Sequence, residues 1–329
     1  MVSMSAILSK TVRPLAFAAA LAALPSASWS QQYPSQDIHF ICAFPAGSGA
    51  DIVVRWFAEK VRIASNRTVI VDNKAGAGGN IATEFTARAK PDGYTIYVHA
   101  GSGIAANMHL FKNPSVDAAK ALQVAATINK QPFMLVVDPS KPWKTTQELT
   151  AYLKQKGDKA TYATSNPPGV VMGALYKTIV GLNPVEVSYR TAQDALPDFA
   201  SGQIDFGALD PQFASTQAKA GKLRILAVSS AQRMSSAPDI PTMIEGGAPG
   251  LDMMGWFSVQ VPSATPKPIV TQINTWFNDI LRTPDAEKFL AQFGSDVFIS
   301  TPEQAQALFE KEIKAWGEYV KVAKIEPQG

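Results

Sequence analysis

One cysteine, Cys42, and three histidines, His39, His99 and His109, are present in 329 residues. A lone cysteine cannot close an internal disulfide, so the apolar core has to carry the stability. Cys42 lies within an apolar run and reads as a small core residue. No two histidines have the spacing of metal ligands. His39 falls within a strand, and His99 lies one residue from a strand end, where a satisfied core histidine is expected. Basic clusters are also missing. The formal net charge is +3, and a nucleic-acid partner would require clustered Lys and Arg to neutralise phosphates. The densest basic stretch, Lys141 to Lys159, is interrupted by acidic and polar residues and reads as a solvated helix face. No Gly-Lys-Ser/Thr completes a phosphate-binding loop after Gly47 or Gly76. Gly47 and Gly49 have the first spacing of a dinucleotide fingerprint, but Ile52 occupies the third glycine position. Ser48 and Ser102 sit in Gly-Ser-Gly rather than in the Gly-x-Ser-x-Gly of a hydrolase nucleophile. No cofactor, metal or catalytic residue is called for.

Long hydrophobic runs are absent too. The longest, Leu15 to Leu24, has about ten residues, roughly half of what a bilayer span needs. Lys10 and Arg13 precede it, and Pro25 and small residues up to Ser28-Trp29-Ser30 follow. This order is that of a secretory signal peptide, residues 1–30, cleaved near Ser30, exporting the chain to the periplasm by the Sec route. The remainder then carries a formal charge of +1.

What the chain does contain is strand, glycine turn and helix in repetition. The apolar run Ile38 to Phe44 leads into Pro45-Ala46-Gly47-Ser48-Gly49-Ala50-Asp51, and an amphipathic run from Ile52 to Ile63 leads out. Asp51 is expected to cap that helix. Glycines let backbone approach a ligand, and the first helical turn points free N–H groups at it. Thr68 to Asp72 is a second strand, entering the glycine loop Asn73 to Asn80, and helix follows from Ile81 to Ala89. Tyr94 to Ala100 is a third strand, with a third glycine loop expected at Gly101-Ser102-Gly103. In an open parallel sheet such loops gather at the carboxyl edge, where ligands bind.

Leu122 to Val137 reads as a strand that crosses into a second domain. Thr145 and Glu148 form a capping-box signature. Further strands are expected at Ala160 to Thr164, Val185 to Tyr189, Ile204 to Leu209 and Leu223 to Val228, with helices between them. Ser229 to Ala248 is a connector, Met254 to Val261 a strand crossing back, and Ile269 to Ala323 helix with one break near Gly294. The fold class is therefore α/β with two domains, the second inserted in the first. Residues 31–128 and 254–329 make domain 1, and residues 129–253 make domain 2. Two chain crossings form a hinge, and the cleft clamps a ligand by closure.

The candidate ligand-binding residues follow from the strand ends. In the first domain they are Phe44, Pro45, Ala46, Gly47, Ser48, Asp51, Gly78 and Ser102. In the second they are Thr164, Ser165, Asn166, Gly169, Tyr189 and Asp210. Short hydroxyl, amide and backbone donors suit a carboxylate without a buried lysine or arginine. Phe44, Tyr189 and Trp256 are candidate aromatic walls.

Across essentially the whole chain after residue 30, the sequence resembles the tripartite tricarboxylate transporter substrate-binding proteins, the Bug or TctC-type periplasmic receptors. The resemblance rests on Phe44 to Asp51, on Val71 to Ile81, and on Pro91-Asp92-Gly93-Tyr94-Thr95. It continues in Gly221 to Val228, Pro238 to Thr242, Glu245 to Gly250 and Pro262 to Pro266. It implies a Venus-flytrap receptor of the type II kind, with no enzymatic step. Such receptors hold a carboxylate through the first strand–helix loop and a second-domain loop, here Phe44 to Ser48 and Thr164 to Gly169. It also implies inner-membrane permease subunits as partners; a monomer without nucleic-acid contacts is expected. Two departures stand out. Ser165-Asn166-Pro167-Pro168-Gly169 replaces the usual glycine-rich turn with its following His-Leu, and Gly47-Ser48-Gly49 replaces a Gly-Gly pair. The two prolines remove donors, which leaves the ligand open between an aromatic and a dicarboxylic acid. The alternatives are a periplasmic enzyme on a carboxylate or ester with His99 as base, and a sensor signalling to a membrane kinase.

Overall fold

A computed structural model describes residues 33–329. The segment assigned to a signal peptide lies outside the described residues. The chain opens with β1 (Ile38–Cys42), α1 (Gly49–Ser65), β2 (Val69–Asn73), α2 (Asn80–Ala87), β3 (Thr95–Ala100) and α3 (Gly101–Leu110). β1 pairs in parallel with both β2 and β3. Its residues are almost wholly buried because helices cover the strand,. On α1 the buried set Val53, Val54, Phe57, Ala58 and Val61 recurs at helical spacing and faces the core,. Each large side chain so buried contributes roughly 1.5–3 kcal/mol. Cys42 is buried within β1.

A short α4 (Ala118–Ala121) precedes the long β4 (Leu122–Pro132), and β5 (Met134–Val137) follows after Phe133 alone. One extended stretch thus serves two sheets. The second sheet is completed by α5 (Thr146–Lys156), β6 (Thr161–Thr164), α6 (Pro167–Val180), β7 (Val185–Ser188), α7 (Leu196–Ser201), β8 (Phe206–Leu209), α8 (Pro211–Lys219) and β9 (Arg224–Val228). The capping box of Thr145 and Glu148 is present at α5. The chain returns through β10 (Met254–Pro262) and ends in α9 (Lys267–Leu281), α10 (Pro284–Ala291), β11 (Asp296–Val297) and α11 (Pro302–Val322).

The first sheet has the order β11-β4-β10-β3-β1-β2 and the second β7-β6-β8-β5-β9. β10 runs antiparallel between β3 and β4. Both crossings are tied by Ser229, which is fully buried. Its Oγ accepts from the Phe133 N–H at 2.8 Å and donates to the Met253 carbonyl at 2.6 Å. Its backbone pairs with the same two residues.

Several local expectations are corrected. Gly101, Ser102 and Gly103 form no loop; they are the buried first turn of α3. The C-terminal helical region is broken twice, at Thr283 and between Ala291 and Pro302. The break at Thr283 comes where Pro284 starts a new helix, capped by the Thr283 hydroxyl,. Trp256 is 2% exposed and packs edge-on against Phe309, so it belongs to the core and not to a pocket wall.

Candidate functional site

The loop Phe44–Ser48 connects β1 to α1. Ser48, not Asp51, is the N-cap of α1, its Oγ accepting from the Asp51 N–H at 3.2 Å. Asp51 is 1% exposed and points back under the loop. It accepts from the Gly47 N–H at 2.8 Å, Arg55 Nε at 2.8 Å and Asn73 Nδ2 at 2.7 Å. Burial alone would raise its carboxyl, but the hydrogen bonds from Arg55, Asn73 and Gly47 hold it below the usual carboxylate range,. Asn73 also donates to the Phe44 carbonyl at 2.9 Å. Asp51 therefore shapes the loop from beneath. Ala46 and Gly47 are the exposed tip.

Phe44 is half-buried. Its ring lies 4.5 Å from that of His99 and 5.8 Å from that of Phe257. The second glycine segment, Gly76 to Gly79, runs beside it. Gly78 and Gly79 have φ of 62° and 101°, a region that suits glycine. Asn107 from α3 fastens this segment, donating to the Gly78 carbonyl and to Asn80 Oδ1, each at 2.9 Å. Ala100 provides no side-chain cap for α3, so the N–H groups of Gly101, Ser102 and Gly103 have no side-chain acceptor. The Ser102 hydroxyl is buried without a partner.

The second sheet meets these segments with the first turns of α6 and α8. A Cβ built on Gly49 would stand 2.9 Å from Gln212 Cβ, and one on Gly78 would stand 3.1 Å from Pro167 Cγ. The α1 start thus faces the α8 start, and the Gly78 loop faces the α6 start. Gln212 Nε2 reaches across to Gln131 Oε1 of β4.

The predicted donors of the second sheet are differently engaged. The Thr164 hydroxyl donates to Glu186 Oε1 at 2.7 Å. Asn166 is the N-cap of α6, accepting from the Gly169 N–H at 2.9 Å. Pro167 and Pro168 have no N–H, so the first turn of α6 offers no free backbone donor. The Tyr189 hydroxyl donates to Asp198 Oδ2 at 2.5 Å. Asp210 is the N-cap of α8 and accepts from the Phe213 N–H at 2.8 Å. Burial pushes its carboxyl up, offset only in part by the backbone N–H groups. Gly169 lies against the Ala208 carbonyl, with no room for a Cβ. Among the described residues no cluster of three or more His, Cys, Asp or Glu is arranged to hold a metal ion.

His99 is buried as expected, yet it is not satisfied: its Nδ1 has no hydrogen-bond partner. It is the residue that sequence reading undervalued. Its position near the end of β3 was the available signal.

Two sheets with facing helix starts and two chain crossings give the two-domain fold shared with periplasmic binding proteins. The chain belongs to the tripartite tricarboxylate transporter family receptor (TctC) family, whose model matches residues 53–325. Members of that family are solute-binding receptors. A UPF0065 protein of Bordetella bronchiseptica is 30% identical, over 96% of this chain and 94% of its own length. Protein BugT of Bordetella pertussis is 26% identical, over 88% of this chain and 90% of its own. Among solved structures, Rpa4515 of R. palustris with adipate superposes with a TM-score of 0.85 at 28% identity, covering 90% of this chain and all (100%) of that one. The periplasmic binding protein BugD gives a TM-score of 0.82 at 29% identity, covering 90% of this chain and 100% of its own. Among the described residues no helix is long and apolar enough to cross a membrane.

Proposed function

We propose that the protein is a periplasmic receptor that captures a small organic carboxylate between its two sheets, each the core of one lobe, and presents it to membrane permease subunits. The observation that carries this reading is the uncapped start of α3, which follows β3 as the α1 loop follows the parallel neighbour β1. The uncapped N-terminus of α3 favours an anion, and the positive ends of the α1 and α3 helix dipoles add to that preference, although Ser48 already engages the Asp51 N–H of α1,. The solved structure of Rpa4515 with adipate supports a carboxylate as the class of ligand. Phe44 forms one wall, Gly47, Ser48 and Gly49 one end, and Gly78 with Ser102 the floor. The second lobe closes over it with α6 and α8. Its contribution is more apolar, because Pro167 and Pro168 withhold donors and Thr164 is turned to Glu186.

Binding without chemistry is supported by the state of His99. A general base at neutral pH needs an orienting acceptor and a pKa near 7. His99 has neither, since Nδ1 is unpartnered and burial pulls its pKa down to about 3.

A thermal-shift series with aliphatic and aromatic carboxylates tests the proposal. A ligand at a hundredfold excess over its Kd stabilises by about 2.7 kcal/mol, a rise of several degrees. Stabilisation by sugars or nucleotides, with no response to any carboxylate, would refute it.

A further inference from the structure

Three strand-end segments of the first lobe meet over one side chain. His99 is 5% exposed. Its ring stacks nearly parallel on Tyr97, with centroids 5.2 Å apart, and lies under Phe44 of the first loop. The Nε2 edge faces glycine on two sides. A Cβ on Gly79 would stand 2.9 Å from Nε2, and one on Gly103 would stand 3.6 Å away. Gly79 belongs to the second glycine segment and Gly103 to the first turn of α3, so no side chain separates the ring edge from these two segments. Any side chain at 79 would cover it.

No described carboxylate bonds to the ring, and Nδ1 is unpartnered. Burial disfavours the imidazolium,. A neutral imidazole has one N–H and one lone pair. A buried acceptor left unpaired is less rare in proteins than a buried N–H left unpaired. The proton therefore belongs on Nε2, the edge beside the glycines.

We infer that His99 is a specificity-determining residue, whose Nε2–H donates to an uncharged oxygen, a hydroxyl or a carbonyl, on the body of the carboxylate ligand. This rests on the carboxylate-receptor reading above. The charged end of the ligand goes to the N–H groups that start α1 and α3. A neutral donor between two aromatic rings suits a neutral oxygen, because the pair needs no counter-charge. The ring edge thus reads a substituent that the helix starts do not.

Calorimetric titration with paired acids tests this: succinate with malate, and benzoate with salicylate, against the wild type, His99→Leu and His99→Gln. In at least one pair the wild type should bind the hydroxylated acid about fivefold tighter, as one hydrogen bond would give. His99→Leu should bind both members of that pair alike, with the parent acid changed by less than about twofold. His99→Gln, which keeps a donor, should recover part of the preference, and it also serves if His99→Leu does not fold. Acids that bind the wild type without any hydroxyl preference overturn this inference and leave the receptor reading standing. Equal weakening of both members by His99→Leu does the same, since the ring would then meet the carboxylate or only support the fold. If no acid in either pair binds the wild type and the wider carboxylate series gives no shift, the receptor reading fails and this inference falls with it.

Discussion

Below pH 6.5 an unfolded chain protonates its histidines, whereas folded His99 stays neutral until about pH 3. The unfolded state then binds one proton more, so stability falls as the pH drops from 6.5 towards 3, by about 1.4 kcal/mol per unit for this one group. His99→Leu removes that contribution. Urea unfolding at pH 7 and pH 5 should show a smaller loss in the variant than in the wild type; equal losses would mean that His99 is protonated in the folded state. At this scale residue type was legible and partnership was not. Asp51 was recognisable as belonging to a helix start. Its real task, holding Gly47, Arg55 and Asn73 together, depends on Asn73, which arrives from the next strand. His99 could be placed near a strand end, but whether its nitrogens found partners depended on Gly79 and Gly103, which only packing brings to the ring.

Among the elements, the start of α1 depends on the Ser48 hydroxyl. Ser48→Ala removes the cap on the Asp51 N–H and should cost about 0.5–2 kcal/mol of stability. Ser48→Asn, also a good N-cap, should restore most of it. Guanidinium midpoints of the three proteins decide the matter. The strand–glycine–helix units of the first lobe were readable because an apolar run followed by glycine and an amphipathic run has few other solutions. Gly101 to Gly103 misled for a physical reason. Glycine there serves close packing and not a turn: a Cβ on Gly101 would stand 2.6 Å from the Trp256 ring. The sequence shows the missing side chain but not the indole that takes its place. The break at Thr283 was not expected, since a Thr-Pro pair both ends one helix and starts another.

The whole molecule turns on two chain crossings, and Ser229 joins them. Ser229→Ala would leave the buried Phe133 N–H without its side-chain acceptor and the Met253 carbonyl without its side-chain donor. An expected loss of about 1–3 kcal/mol follows, measured by urea unfolding. A variant as stable as the wild type would show that the backbone pairs alone hold the crossings.

The sequence by itself determined the alternation of strand and helix, the long extended stretch from Leu122 to Val137 that serves both sheets, and membership of a receptor family. These depend on local periodicity and on motifs that are contiguous in the chain. Tertiary structure alone decided which polar groups find partners within the protein. Thr164 is engaged by Glu186 and Asn166 by its own helix, while the start of α3 has no side-chain cap and His99 Nδ1 no partner. A hydrogen bond is settled by whichever partner packing brings within 3 Å or so, and such partners lie tens of residues away in the chain.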